Sequence, residues 1–338
     1  MSFPDPPRGQ GGSITNTMFS VIIPLYNKAP YVEKAIRSVA AQTFQEFELI
    51  VVDDGSTDLT APQPPKGGAG LTYSDIEQLI DGKGILIKQK NSGVSVARNN
   101  GVALASYPYI CFLDADDWWA PTFLEEMKAL IDEFPDAGIY GTSYYKVKNG
   151  KYIPANIGVE EGFVKGEINY CQVYAKSLWM PLWTGAVCIP KTVFENEQGF
   201  KPALKLGEDF DLWIRISLKQ KVVLLNKPLA YYNQDVEIQD RAIGPRLYKP
   251  EEHMLFTDYG ELMKNKDFKV LYDKLAIYGL LPYYLNNVNS AEVKSILDRI
   301  DWTNTDSEYS KYYKMPKSIA IFYFRIRKIL SNIKRRLK

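Results

Sequence analysis

The sequence predicts an α/β protein built on a doubly wound, mostly parallel sheet followed by a helical C-terminal region. Between Phe19 and Leu113, short runs rich in β-branched and aromatic residues alternate with stretches of helical period. Those runs are continuously apolar, as strands covered on both faces are. Beyond Glu251 the pattern becomes helical and tyrosine-rich. In such a sheet ligands bind past the carboxyl ends of the strands, so the residues after each strand are the first candidates for function.

The elements follow in order. Residues 1–17 are rich in Gly, Pro and Ser, lack the apolar core of a signal peptide, and are expected to be a disordered tail ahead of Met18. Strands are expected at Phe19 to Ile23, Glu48 to Val52, Ile85 to Gln89 and Tyr109 to Leu113, with helices near Tyr31 to Ala41, Ser74 to Ile80 and Val94 to Ala105. Ala61 to Gly70 (APQPPKGGAG) reads as a surface loop, because Pro and Gly suit neither helix nor strand. A helix should run from Pro121, a favoured first residue, to Glu133. Asn149-Gly150 marks a hairpin between Tyr144 to Lys148 and Lys151 to Ile153. A helix near Asp209 to Leu218 and a strand near Val222 to Leu225 precede the helical region.

Composition narrows the chemistry. Of 338 residues, 46% are hydrophobic and 24% charged, the balance of a folded soluble chain. The single histidine, His253, excludes a multi-histidine zinc site and any relay needing two imidazoles. Cys111, Cys171 and Cys188 are dispersed and odd in number, which reads as buried thiols in a reducing compartment. No run of about 18 apolar residues occurs, so a cytoplasmic protein is expected. Catalysis falls to carboxylates, hydroxyls and backbone groups.

Two acidic clusters follow expected strands. Asp114 and Asp116 are one residue apart, and on an extended backbone both would point to one side. Mg²⁺ or Mn²⁺ relieves such repulsion and gathers phosphate oxygens. Asp53 and Asp54 suit recognition of an N–H on a nucleobase edge, whereas Ser56, Thr57 and Asp58 serve equally well as turn and cap residues. Glu208 and Asp209 open a helix, where acids are favoured whether or not they react.

The ordered combination of Phe19-Ser20-Val21-Ile22-Ile23-Pro24-Leu25-Tyr26-Asn27, Val51-Val52-Asp53-Asp54-Gly55-Ser56-Thr57-Asp58, Asn91 to Asn99 (NSGVSVARN) and Phe112-Leu113-Asp114-Ala115-Asp116-Asp117 resembles the inverting family-2 glycosyltransferases. The resemblance covers about Phe19 to Tyr232. It implies a GT-A fold with a Rossmann-like sheet, a nucleoside-diphosphate sugar donor, most often a UDP-sugar, and a setting in bacterial surface-polysaccharide synthesis. It divides the chain into a nucleotide-sugar-binding half (18–118), an acceptor-binding and catalytic-base half (119–235) and a helical region (236–338).

The resemblance also implies roles. Tyr26 would pack on the nucleobase, Pro24 would supply a backbone contact, Asp54 would meet the uracil edge and Asp53 would lie near the nucleoside. Arg98 would sit by the nucleotide, where a guanidinium suits phosphate or a carboxylate partner. Asp116 would ligate Mn²⁺ or Mg²⁺, with Asp114 on the ribose or a metal-bound water. Asp209, in Gly207-Glu208-Asp209-Phe210-Asp211-Leu212-Trp213, would be the catalytic base and Glu208 would orient it. No Q-x-x-R-W element follows Asp209, which points to one sugar per encounter. Trp183 and Thr184 match a region facing the acceptor, a glycan or lipid-linked glycan; core packing is the competing role for Trp183.

Ten lysines and arginines and no acid follow Glu308, so an acidic body ends in a basic tail. In residues 316–338, Ile319, Phe322, Ile326, Ile329, Leu330 and Ile333 form one stripe beside Arg325, Lys328, Arg335 and Arg336. Such a helix suits an anionic membrane surface and would make the protein peripheral on the inner face of the cell membrane. A terminal helix packed on the body is the alternative. Nucleic acid is not expected as a partner, since the body is acidic and carries no recognised motif. A nucleotidyltransferase is a rival reading, but Pro24-Leu25-Tyr26-Asn27 is not its glycine-rich basic loop. An inactive scaffold would lack the metal and base carboxylates.

Overall fold

The computed structural model describes residues 18–59, 71–236, 247–305, 307–324 and 326. The expected tail at 1–17, the loop at 61–70 and the basic segment beyond 326 lie outside them.

The first half alternates as expected: β1 (Phe19–Leu25), α1 (Ala29–Ala40), β2 (Phe47–Asp53), α2 (Tyr73–Leu79), β3 (Gly84–Lys88), α3 (Val94–Leu104) and β4 (Tyr109–Phe112). The second half holds β5 (Trp118–Trp119), α4 (Phe123–Glu133), β6 (Ala137–Lys148), β7 (Lys151–Pro154), β8 (Lys165–Ile168), α5 (Tyr170–Ser177), β9 (Val187–Pro190), α6 (Lys191–Asn196), α7 (Glu208–Ser217) and β10 (Lys221–Asn233). Among the described residues α8 (Lys266–Asn286), α9 (Ser290–Leu297) and α10 (Ser307–Lys314) follow, and residues 317–324 are helical as well. Among the described residues both halves share one ten-stranded sheet of order β3-β2-β1-β4-β9-β6-β10-β5, with β7 on β6 and β8 on β10. β1, β2, β3 and β4 pair in parallel, as do β6 and β10; β9 lies antiparallel between β4 and β6 and joins the two parallel sets.

Burial explains the helices. α1 buries Ala29, Val32, Ala35, Ile36 and Val39, the spacing of one helical face, and Pro30 occupies its first turn. The amide of Ala29 donates to Asp58 Oδ2 at 2.9 Å, so the acid at 58 caps α1 from a neighbouring loop. α3 approaches the sheet closely at Gly101, where a Cβ would lie 2.5 Å from Ile22 Cγ2. The Asn149-Gly150 hairpin forms as expected, with both residues at positive φ (50° and 69°), the primed-turn geometry that suits strand twist. All three cysteines are buried and free; Cys111 and Cys188 face each other across β4 and β9.

One local expectation fails. Asp114 and Asp116 do not share a side of an extended segment, because the Asp117 amide donates to the Asp114 carbonyl at 3.0 Å and the chain turns. That turn lets Trp118 and Trp119 pair antiparallel with Tyr231 and Ala230 of β10, a short strand that periodicity did not reveal.

Candidate active site

The carboxyl ends of β1, β2, β3 and β4 converge, and their loops interlock. The Asp54 amide donates to the Leu25 carbonyl at 2.7 Å, the Asn27 amide to Ser56 Oγ at 3.0 Å, and the Thr57 amide to Asn27 Oδ1 at 2.8 Å. Gly55 adopts φ 79°, and a Cβ there would stand 2.9 Å from the Asn91 amide nitrogen, so only glycine fits. Tyr26 stands at the rim with 47% of its surface exposed, an open aromatic face beside the interlocked loops. Pro24 is buried within β1 opposite Val52.

The two aspartates after β2 do different work. Asp53 accepts the Ser56 amide on Oδ1 at 3.0 Å and the Tyr73 hydroxyl on Oδ2 at 2.8 Å, so it fastens the turn to α2. Tyr73 is pushed up to about 12 by burial and by this bond and the nearby charge of Asp53. Asp54 accepts Gln89 Nε2 and the Ser92 amide on Oδ1, and the Gly93 amide on Oδ2. It ties β2 to the loop after β3. A carboxylate offers roughly four acceptor positions, so one on Oδ2 is not taken up by these three bonds, and Asp54 itself is buried.

Arg98 joins the two halves. Its guanidinium is 3% exposed; Nη2 donates to Asp114 Oδ1 at 2.7 Å and Nη1 to Glu208 Oε1 at 3.1 Å, and the group lies over the Phe200 ring. Burial alone would favour the neutral form, but the charges of Asp114, Glu208 and Asp209 outweigh it and hold Arg98 above its ordinary range. Of the two partners expected for Arg98, phosphate or carboxylate, the structure shows the carboxylate, one on each arm of its fork.

Glu208 and Asp209 open α7 behind Gly207, which takes φ 78° and has no room for a side chain, since a Cβ would stand 2.3 Å from Met254 Cγ. Burial and the charge of Asp209 push the Glu208 carboxyl up against the pull of Arg98. Asp209 is half-buried and accepts the Thr184 hydroxyl on Oδ2 at 3.1 Å. Trp183 is only 4% exposed and wedged between Tyr144 and Tyr232, and Thr184 is 3% exposed, so neither offers an acceptor much surface; Thr184 meets the site through its bond to Asp209. Asp211 is fully buried and pairs with Lys201 and Arg215, anchoring the chain before α7.

Lys28, which sequence reasoning passed over, pairs with Asp116 Oδ2. Its position one residue past Tyr26-Asn27, at the mouth of α1, was the available signal. Burial raises Asp116, with Lys28 opposing and Asp114 adding to the rise. Asp117 is fully committed to structure: it is buried, accepts the Asn233 amide at 2.7 Å, and is raised well above the carboxylate range by burial and its acidic neighbours. Among the described residues no group of three or more His, Cys, Asp or Glu gathers as a metal cage. Asp114 Oδ2 and Asp116 Oδ1 nevertheless accept no hydrogen bond from another described residue. Two hard oxygens of this kind fit a cation that takes one or two carboxylates and completes its shell with phosphate and water. His253 lies elsewhere: it packs against Tyr248, Phe256 and Tyr283, accepts the Leu255 amide, and burial lowers it to about 4.

This arrangement of a mixed sheet with acidic turns at its strand ends is the GT-A fold. Residues 20–178 match the family described as Glycosyl transferase family 2. It is 34% identical over 224 residues to an uncharacterized glycosyltransferase, RC0461, of Rickettsia conorii, covering 64% of this chain and 33% of that one. It is 28% identical over 241 residues to the glycosyltransferase GlyA of Streptococcus pneumoniae, covering 65% and 31%. The chain thus spans about a third of the length of these relatives. Among solved structures, S. aureus TarS 1–349 in complex with UDP-GlcNAc superposes with a TM-score of 0.64 at 20% identity, over 83% of this chain and 79% of that one. The same protein with UDP gives 0.59 at 23% identity, over 81% and 76%. At these identities the likeness is one of fold.

Proposed function

We propose that this protein transfers a single sugar from a UDP-sugar, with inversion, to a hydroxyl of a glycan or lipid-linked glycan in bacterial surface-polysaccharide synthesis. The carrying observation is the buried Arg98 bridge, which draws the Asp114–Asp116 turn and the Glu208–Asp209 helix start into one site. The UDP and UDP-GlcNAc complexes of the TarS fold support the choice of donor. Tyr26 offers an aromatic face and Asp54 one acceptor position for the base. Asp114 and Asp116 would hold Mn²⁺ or Mg²⁺, which when bound offsets negative charge on the diphosphate.

In the reaction an acceptor oxygen bonds to the anomeric carbon, the bond from that carbon to the diphosphate oxygen breaks, and UDP departs. Asp209 takes the acceptor proton, oriented by the Thr184 hydroxyl on its Oδ2. Glu208 fixes Arg98 and so the spacing between base and donor. The exposed Ile319, Phe322 and Ile326 support a tail that faces an anionic membrane and keeps the enzyme at its inner, cytoplasmic side. Asp209→Asn should lower turnover by about a thousandfold or more while calorimetric UDP affinity with Mn²⁺ stays within about twofold. Parallel losses of binding and turnover would remove Asp209 from the role of base.

A further inference from the structure

Side chains alternate along β6 and β10, and the two faces carry different aromatic clusters. Tyr144 and Tyr232 point to Trp183 on the Asp209 side. Tyr145 and Tyr231, their neighbours in sequence, point the other way. There Trp118, Tyr231 and Tyr145 form one continuous stack: Trp118 to Tyr231 is 5.4 Å at 13°, and Tyr231 to Tyr145 is 5.6 Å at 14°. Tyr152, from the hairpin strand β7, stands edge-on to both tyrosines and is 56% exposed. Lys34 of α1 backs the stack, its Nζ over the Trp118 ring.

These rings line an open groove of about 590 Å³ together with Trp119, Ala120 and Pro121. That is within the size range of small-molecule sites, roughly 300–1,000 Å³. No lining residue is charged. The hydroxyls of Tyr145, Tyr152 and Tyr231 make no hydrogen bond to any described residue.

We propose that this groove is a second carbohydrate site, which holds a neutral saccharide chain on the sheet face opposite the Trp183 cluster. Chemistry selects that occupant. An anion finds no cation on the lining, and a hydrocarbon chain would strand the free phenol hydroxyls in apolar contact at a cost. A pyranose ring supplies both missing partners. Its C–H faces carry positive charge toward the negative aromatic faces, and its hydroxyls pair with the phenols. The inference needs neither the base nor the donor assignment.

The test is binding without turnover: calorimetry and tryptophan fluorescence with cellohexaose, maltoheptaose and chitohexaose on the full chain, with UDP and Mn²⁺ titrated separately. At least one glycan should bind wild type. Tyr152→Ala should weaken it about tenfold, and Tyr231→Phe, which keeps the stack and removes one hydroxyl, about threefold. UDP affinity should be unchanged in both variants, which also shows that they are folded. The proposal is overturned if none of these glycans binds, if binding survives both substitutions unchanged, or if saturating UDP displaces the glycan. Loss of transfer with the groove intact would bear on the proposed reaction alone.

Discussion

Arg98→Met tests the bridge on which the site depends. The substitution keeps most of the side-chain volume but removes the cation from between two carboxylates. Removing one partner of a buried pair costs about 3–5 kcal/mol. Asp114 is 30% exposed and Glu208 15%, so water reaches both and the lower end applies, about 3 kcal/mol. In a Glu208→Gln background one of the stranded charges is already gone, and the same substitution should cost about 1–2 kcal/mol less. Acidity provides a second check. Glu208 is already held above the ordinary carboxylate range by burial and Asp209, against the pull of Arg98, and without Arg98 it rises further. The folded variant then binds a proton that the unfolded chain does not, so its stability grows as pH falls through that window and its deficit against wild type narrows. Urea unfolding followed by tryptophan fluorescence, compared at unchanged m, reads these differences. A loss under about 1 kcal/mol, no dependence on Glu208, or a deficit that widens with acid would refute the reasoning.

Two further outcomes follow from the same geometry. His253, lowered to about 4 by burial, is neutral in the fold and protonated in the unfolded chain between pH 4 and 6.5. Wild type should therefore lose up to about 3 kcal/mol relative to His253→Gln as pH falls across that range, and parallel pH profiles would show that the imidazole carries no such penalty. Lys28→Met frees Asp116 of the ammonium that a divalent cation must displace. Mn²⁺ binding measured by electron paramagnetic resonance without nucleotide should tighten about tenfold, equivalent to ~1.4 kcal/mol, and weaker binding would mean that Lys28 does not compete for this carboxylate.

What could be read in advance follows from how each feature is encoded. The alternation of β1 to β4 with α1 to α3 was legible because apolar period and chain order are local properties, and parallel strands buried on two faces leave continuous apolar runs. The Asn149-Gly150 turn was legible for a similar reason: few residues accept positive φ twice in succession. Lys28 at Asp116, Tyr73 at Asp53, and Gln89 with the Ser92 and Gly93 amides at Asp54 were not legible, because each contact spans between 20 and 88 positions. The turn at Asp114–Asp117 escaped as well, since its shape depends on the antiparallel pairing of Trp118 with Tyr231.

The sequence by itself determined the order of elements, the glycine turns and the inventory of carboxylates, because these rest on short-range sterics and on residue type. Tertiary structure decided which carboxylates became structural, which stayed open, and that Arg98 would reach Glu208, 110 positions away, and clamp it to Asp114. It also decided that Trp183 would fill the core while Thr184 reached Asp209, although the two are adjacent. The physical reason is that a buried charge or ring must find its partners within a few ångströms, and only the packed chain establishes which groups are that close.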